Sequence, residues 1–506
     1  MKRSHIGDLR VHYLMSESSL LIRSSSWVLA VAWFNRFLGF ASVFILARLL
    51  TPEDFGTFAI LLLVVQLTSV LTDVGVEQYY VQAPNVTRED LNSCWTLNLL
   101  VKATLSFALL ISSSLILKLL ERETLADAMM IMSFLPLINA MGNGFIIHLK
   151  RNLAFHRFAK FAAFGQIAGS ATSIAIAWYF ASYWALVSGM MINAISQTLL
   201  SYFLLSERTT LNFSNFSKLW IFGKWLLFRN AIAHVRAKFD VWYAASMFSL
   251  SNVGGYNTIK DVAMLPSREI VGPLFQVFFS FMSQDNRTKN NFERTYATCL
   301  AMLLLCSPMA AGLFLIAEDV TYILLGEQWI RYAPVLANLA ILILSATAGD
   351  FISDALVARG MVKHVFAYDF FTLIMSLMFL LLTFQLLTSP SSLSIFRAIL
   401  SVFMFTSSIL WLYFSLKLNA LRLIRMLGAI ALCTSAMAIC VFAVKTMIGT
   451  IHLRAILCIV CGAMSYFAAL FIVTSLPIFS AQEQLLLRKI VSAIKVKLLA
   501  RHRDGT

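Results

Sequence analysis

The chain has 506 residues, of which 59% are hydrophobic and only 13% charged, and its mean hydropathy is +0.79. Soluble globular proteins average about 45–50% apolar and about 25% charged residues, so a water-soluble, disordered, collagen-like or disulfide-scaffolded protein is excluded. The net charge of +15, from 40 Lys and Arg against 25 Asp and Glu, would point to nucleic acid in a soluble protein but to topology in a membrane one, so the positions of the charges decide its meaning.

Residues 1–23 are basic (Lys2, Arg3, Arg10, Arg23) and read as a cytoplasmic segment without a signal-peptide cleavage pattern. The apolar run Trp27–Leu46 is long enough to be retained as a span. A crossing helix needs about 20 mostly apolar residues. About fourteen segments qualify, at 24–47, 57–80, 92–117, 125–147, 158–180, 182–205, 219–248, 253–283, 293–316, 331–358, 365–388, 394–417, 425–448 and 452–476. All are expected to be helical, because a lipid-embedded backbone must satisfy its own hydrogen bonds. The fold class is therefore an all-α polytopic membrane protein.

With residue 1 in the cytoplasm, 26 of the 40 basic residues fall on the cytoplasmic side. Six fall opposite (Arg48, Lys118, Arg122, Arg331, Lys445, Arg454) and eight inside spans (Arg36, Lys102, Arg229, Arg236, Lys238, Lys260, Arg268, Arg397). That asymmetry predicts cytoplasmic N- and C-termini. The expected organisation is an N-lobe at 24–205, a cytoplasmic loop at 206–218, a C-lobe at 219–417, two further helices within 425–476 and a tail at 481–506. In the tail, Leu486, Ile490, Ile494 and Leu498 recur at four-residue steps among Arg488, Lys489, Lys495 and Lys497, as in a helix lying on an anionic leaflet. The seven cysteines lie in or beside apolar segments, so Cys458 and Cys461 read as packing residues despite their C-x-x-C spacing.

An internal repeat is legible. A long apolar segment, a tight polar turn and an apolar-Gly-x-aromatic opening occur at Phe55-Gly56-Thr57-Phe58 and at Val253-Gly254-Gly255-Tyr256, 198 residues apart. Val74-Gly75 and Val271-Gly272 recur at a similar offset. Six spans separate the copies, which predicts parallel repeats about an axis along the membrane normal. The repeated hairpins also hold most of the in-span polar residues. These are Asn35 and Arg36; Asp73, Glu77 and Gln78; Arg229, His234, Arg236, Lys238 and Asp240; and Lys260, Asp261, Arg268, Glu269 and Gln276. Ionisable groups at this depth face cavities or partners, so these helices are expected to surround a water-filled cavity with a cationic lean. Such a cavity suits an anionic cargo, because Arg grips phosphate oxygens bidentately. Neighbour pairing, such as Lys238 with Asp240, Lys260 with Asp261, or Arg268 with Glu269 or Asp73, is the competing reading. Asp350 and Asp354 share a helix face and are candidates for ion coupling with Asp73, Glu77, Asp240 and Asp261, or for pairing with Arg359 or Lys363.

Three stretches carry a family resemblance. ILARLLTPEDFGTFAI (Ile45–Ile60) with LTDVGVEQYYVQ (Leu71–Gln82), VGGYNTIKDVAMLPSREIVGPLFQVFFSFMS (Val253–Ser283) and LLGEQWIRYAPVLANLA (Leu324–Ala340) resemble the polysaccharide transporter family. Its members are Wzx-type lipid-linked oligosaccharide flippases of the multidrug/oligosaccharidyl-lipid/polysaccharide superfamily. Phe281 departs from the expected pattern, where a proline would stand. The resemblance implies two six-helix lobes plus two helices around a cavity lined by the first, second, seventh and eighth spans. It implies a bacterial inner membrane, alternating access, and movement of undecaprenyl-diphosphate-linked repeat units to the periplasmic leaflet. Its expected partners are the lipid-linked oligosaccharide, membrane lipids and other polysaccharide-assembly membrane proteins, with no nucleic acid. No cofactor, metal or catalytic residue is expected. A cation-coupled drug exporter of the same superfamily is the alternative, and a membrane-bound polysaccharide polymerase a weaker one.

Overall fold

The computed structural model describes residues 31, 33–152, 155–275, 282, 290–416 and 418–475. The N-terminal segment and the tail expected at 481–506 lie outside it. The described residues are helical throughout their regular structure, with no strand among them. Helices occupy at least part of every expected span. Among them, seven are long and apolar enough to cross a membrane, and two bent pairs raise this to nine if each pair is one span. The bends are at 57° between 123–140 and 145–151, and at 41° between 327–339 and 342–357. Both are segments that the sequence reads as single helices.

The chain forms two compact units, residues 1–254 and 255–506. The first contains α1 (33–49), α2 (Pro52–Leu71), α3 (Val76–Gln82), α4 (Arg88–Leu119), α5 (Ala126–Ser133), α6 (Leu135–Ala140), α7 (Phe145–Arg151), α8 (Phe155–Phe180), α9 (Trp184–Leu204), α10 (Phe216–Met247) and the first turn of α11 (Leu250–Ala263). The turn Thr51-Pro52-Glu53-Asp54 explains why α2 starts where it does. Thr51 Oγ1 accepts from the Asp54 amide at 3.3 Å, and the Asp54 carboxylate accepts from the Thr51 amide at 3.0 Å, with Pro52 opening the helix. The other Asp54 oxygen accepts from the Tyr183 amide at 2.9 Å, so one carboxylate caps α2 and α9 together. Thr87 and Asp90 repeat the reciprocal cap on α4.

The two glycines of the sequence repeat lie against each other. A methyl group added to Gly56 would lie 1.8 Å from the Leu250 carbonyl oxygen, and one added to Gly254 would lie 1.8 Å from the Pro52 oxygen. Each glycine thus presses on the carbonyl four residues before the other, and both partners are 198 residues apart in sequence. Only a residue without Cβ lets two backbones approach so closely in a membrane. The loop between α9 and α10 is fastened to the start of α4. Asn92 bonds Thr210, Ser93 bonds Asn212, and Asn215 bonds Asp90.

The second unit continues α11 through a π turn (Ser267–Val271) and contains α12 (Asn290–Leu315), α13 (Ala317–Leu325), α14 (Ala333–Leu339), α15 (Leu342–Val357), α16 (Val362–Thr383), α17 (Pro390–Leu416), α18 (Ala420–Met447) and α19 (Ile451–Ser475). Its core joins Phe275, Cys299, Leu300, Ile352, Met426 and Tyr466. Gly255 carries the ring of Tyr332, whose carbons would stand 2.2–2.5 Å from an added Cβ. The adjacent glycines therefore serve different neighbours. At one end of the unit, the fully buried carboxylate of Asp319 accepts from Arg454 Nε at 3.0 and 3.1 Å and from its Nη2. Lys445 donates to the Leu315 carbonyl at 3.0 Å. These contacts tie α18 and α19 to α12–α13.

Two outcomes follow for thermal unfolding in detergent. Gly254→Ala lowers the midpoint, since overpacking costs about 1–3 kcal/mol, whereas Gly312→Ala, with nothing within 4 Å of the added Cβ, does not. Arg454→Met strands the Asp319 carboxylate and costs about 3–5 kcal/mol, while the double variant Asp319→Leu/Arg454→Met recovers most of the loss.

Candidate functional site

In the first unit the second expected span, 57–80, is not continuous. Helix α2 ends at Leu71, and Gly75 takes the left-handed conformation at φ +62° before α3 begins. The break satisfies itself locally. Thr72 Oγ1 donates to the Ser69 carbonyl at 2.7 Å, and Asp73 Oδ1 accepts from the Gly75 amide at 3.2 Å. It is packed against α10, where a Cβ on Gly223 would lie 2.2 Å from the Val74 oxygen. Asp73 therefore stands in an unwound segment rather than on a helix face.

Its neighbours are polar. Asn230 Nδ2 on α10 donates to Asp73 Oδ2 at 3.2 Å. Glu77 on α3 is held by Lys150 Nζ on α7 at 2.8 and 2.9 Å. Glu77 is thus an ion-pair member, and Lys150, assigned from sequence to topology, has a second role. No sequence pattern links them, because they stand 73 positions apart and only the fold brings α3 onto α7. Arg151 beside it binds the carbonyls of Ala83 at 2.7 Å and Pro84 at 3.2 Å, fixing the end of α3.

Arg36 is exposed on α1, its guanidinium carbon 5.9 Å from the Trp33 ring centroid, within cation–π reach. Asn35 is half-buried, with an Oδ1 that has no hydrogen-bond partner among the described residues. On α10, Asn230, His234 and Lys238 follow at four-residue steps and share a face. His234 Nε2 is buried without a hydrogen-bond partner among the described residues. Arg236 and Lys238 are half-buried, and Asp240 is fully buried with Oδ1 accepting from the Val241 amide at 3.0 Å. The side chain of Arg229 and the whole of Gln276 lie outside the described residues.

In the second unit Lys260 is buried on α11. Asp261 pairs with Arg268 at 3.1 Å and also accepts from Asn257 at 3.4 Å. The sequence reading made Arg268 a cavity candidate and Asp261 a coupling candidate, and its competing reading paired Arg268 with Glu269 or Asp73 and Asp261 with Lys260. Seven residues make about two helical turns, so Asp261 and Arg268 lie on one side, whereas adjacent positions diverge. Asp350 is exposed and Asp354 half-buried on α15. Asp354 has no cation in contact among the described residues, because Arg359 turns to the Ala355 carbonyl at 3.3 Å and Thr295 Oγ1 at 2.8 Å. No three His, Cys, Asp or Glu residues converge as metal ligands among the described residues. All seven cysteines are free thiols. Each unit thus carries its own ions and amides, which are capable of hydrogen bonds and charge pairing with a polar group.

A family model described as polysaccharide biosynthesis protein matches residues 45–334, more than half of the chain. The chain belongs to that family. On that membership it is a multi-pass membrane transport protein of polysaccharide biosynthesis and not an enzyme. It is 23% identical over 342 residues to the lipopolysaccharide biosynthesis protein WzxC of Escherichia coli (strain K12), covering 66% of this chain and 69% of that one. It is 25% identical over 315 residues to the succinoglycan biosynthesis transport protein ExoT of Rhizobium meliloti (strain 1021), covering 60% of this chain and 62% of that one. Its fold is similar to that of the lipid II flippase MurJ in an inward closed conformation, with a TM-score of 0.72 at 15% identity over 87% of this chain and 97% of that one.

The Lys150–Glu77 pair is testable by a double-mutant cycle. Both side chains are partly exposed, so the coupling energy should be about 0.5–1 kcal/mol, read as a non-additive loss of thermal stability in Lys150→Met, Glu77→Gln and their combination.

Proposed function

We propose that the protein is a flippase for undecaprenyl-diphosphate-linked oligosaccharide repeat units, moving them from the cytoplasmic to the periplasmic leaflet of a bacterial inner membrane. The family membership supports a role in polysaccharide biosynthesis, and the likeness to a lipid II flippase supports the fold such a task uses. The observation that carries the reading is the occurrence of Arg36 on α1 and of Arg236 and Lys238 on α10 of the first unit, within segments that the sequence reads as spans. An ionisable group within a span costs at least about 2.5–3.5 kcal/mol and faces a partner or a wet cavity, and a cavity of cationic lean suits an anionic cargo. The diphosphate is received by these cations while the prenyl chain stays in lipid. The sugar, too polar for the ~30 Å hydrocarbon core, travels through water-lined space by alternating access. In this reading the chain has fourteen spans, a lobe at 24–205, a second at 219–417 and two helices within 425–476, with both termini cytoplasmic. Asp73, Glu77, Asp240, Asp261, Asp350 and Asp354 are its candidates for ion coupling.

The test is a deletion strain in which the sidedness of lipid-linked sugars is measured. Repeat units confined to the cytoplasmic leaflet support flipping, and unpolymerised units reaching the periplasm sink it. Complementation with Arg36→Ala should reduce surface polysaccharide about ten-fold at normal membrane levels, as expected for loss of a charge-assisted contact. Arg36→Lys should restore part of it. Full output from Arg36→Ala removes that residue from the binding machinery.

A further inference from the structure

The second unit holds a slot that no role above uses. Between α16 and α17 lies a cavity of about 570 Å³, within the roughly 300–1,000 Å³ of small-ligand sites. The two helices run antiparallel, since Tyr368 meets Ser408 and Trp411 while Phe379 meets Phe396. Tyr368 Oη and Ser408 Oγ share a hydrogen bond at 2.6 Å, and the Trp411 ring stands 5.9 Å from that of Phe371. These contacts close the slot on its buried side. Its lining includes the exposed Leu410 and Phe414, so it opens on the surface of the unit.

The two ends of the slot differ in chemistry. At one end stand His364, at the start of α16, and Ser415, at the end of α17. Neither side chain has a hydrogen-bond partner among the described residues. Further in, Thr406 and Ser407 give their hydrogens to the carbonyls of Phe403 and Met404 on their own helix, both at 2.8 Å. They offer no donor to an occupant. The slot ends at Phe403, twelve residues or about 18 Å along α17 from Ser415. One leaflet is half of the ~30 Å hydrocarbon core. The slot is therefore about as long as a leaflet is deep, with its uncommitted polar groups at one end only.

That end is also basic. Residues 355–368 and 412–425 include Arg359, Lys363, Lys417, Arg422 and Arg425 and no Asp or Glu. Asp354 and Asp369 flank the first stretch, and neither lines the slot. Helix α12 gathers two of the cations. Arg359 Nη2 donates to Thr295 Oγ1 at 2.8 Å, and the Arg422 guanidinium lies 3.9 Å from the Tyr296 ring centroid. Lys363 is exposed beside His364. An occupant matched to both ends has an anionic head and a hydrocarbon body.

We propose that this slot binds an anionic phospholipid of the bilayer, with its phosphodiester at Lys363, His364 and Ser415 and one acyl chain laid along Trp411 to Phe403. An undecaprenyl chain is much longer and would leave most of its length outside. The site is independent of the function proposed above.

The test uses the full-length protein in phosphatidylcholine nanodiscs containing small fractions of lipid brominated on the acyl chain, which quenches nearby indole fluorescence. The signal of Trp411 is the difference between the wild type and Trp411→Phe. Brominated phosphatidylglycerol should quench it saturably, at about ten-fold lower mole fraction than brominated phosphatidylcholine. Lys363→Met should raise the half-saturating fraction of phosphatidylglycerol about five-fold, the weight of one basic residue near an anionic lipid, and Lys363→Arg should leave it unchanged. Thr406→Phe, which fills the slot from an exposed position, should remove the saturable quenching by both lipids. Equal half-saturation by the two lipids, no effect of Lys363→Met, an equal loss in Lys363→Arg, or quenching that persists in Thr406→Phe would each overturn the site. Displacement of phosphatidylglycerol by an equal mole fraction of polyprenyl diphosphate would overturn it too, by giving the slot to the cargo.

Discussion

A bilayer offers no water to an ion, so a charge placed on a membrane helix must be matched or reached by a wet passage. Much of this structure follows from that constraint. Glu77 is matched by Lys150, Asp261 by Arg268 and Asp319 by Arg454. Each pair joins different helices or successive turns, so neutralising a charge also fixes the placement of backbone. Where the helix would otherwise leave donors and acceptors bare, at residues 72–75, Thr72 and Asp73 turn their own side chains onto the main chain. The polar residues therefore act as structural joints as well as candidate binding groups.

Small residues do the complementary work. Gly56 and Gly254 let two helix starts meet backbone to backbone, and Gly255 lets an aromatic ring lie where a side chain would stand. Lipid tails are as apolar as leucine, so helix association in a membrane relies on close packing and hydrogen bonds rather than on water exclusion. The polar turn Thr51–Asp54 supplies both, because Asp54 caps α2 and α9 at once, two residues before the glycine crossing.

The helical class and the charged hairpins were legible because hydropathy and ion placement are local properties. The repeat was legible as short matches, and its two glycines do meet. The break after Leu71 was not. Its apolar flanks, Val74 and Val76, read as continuation, and only the left-handed Gly75 reveals the unwinding. The partners of Glu77 and Asp73 were equally hidden. Lys150 looks like a topology residue and Asn230 carries no charge, so neither stands out until α7 and α10 are folded against the break. The pairing of Arg268 with Asp261 was not among the pairings weighed from sequence, because two helical turns separate the residues and both have charged residues closer in the chain.

The Asp319–Arg454 pair bears on the order in which the protein is built. The two residues are 135 positions apart, and synthesis runs from the N-terminus. When α13 emerges, the arginine that will neutralise its carboxylate has not been made, so Asp319 must remain hydrated while α15 to α18 are inserted. The pair that buries Asp319 can therefore close only once α19 has arrived, so the contact joining α13 to α19 is a late one.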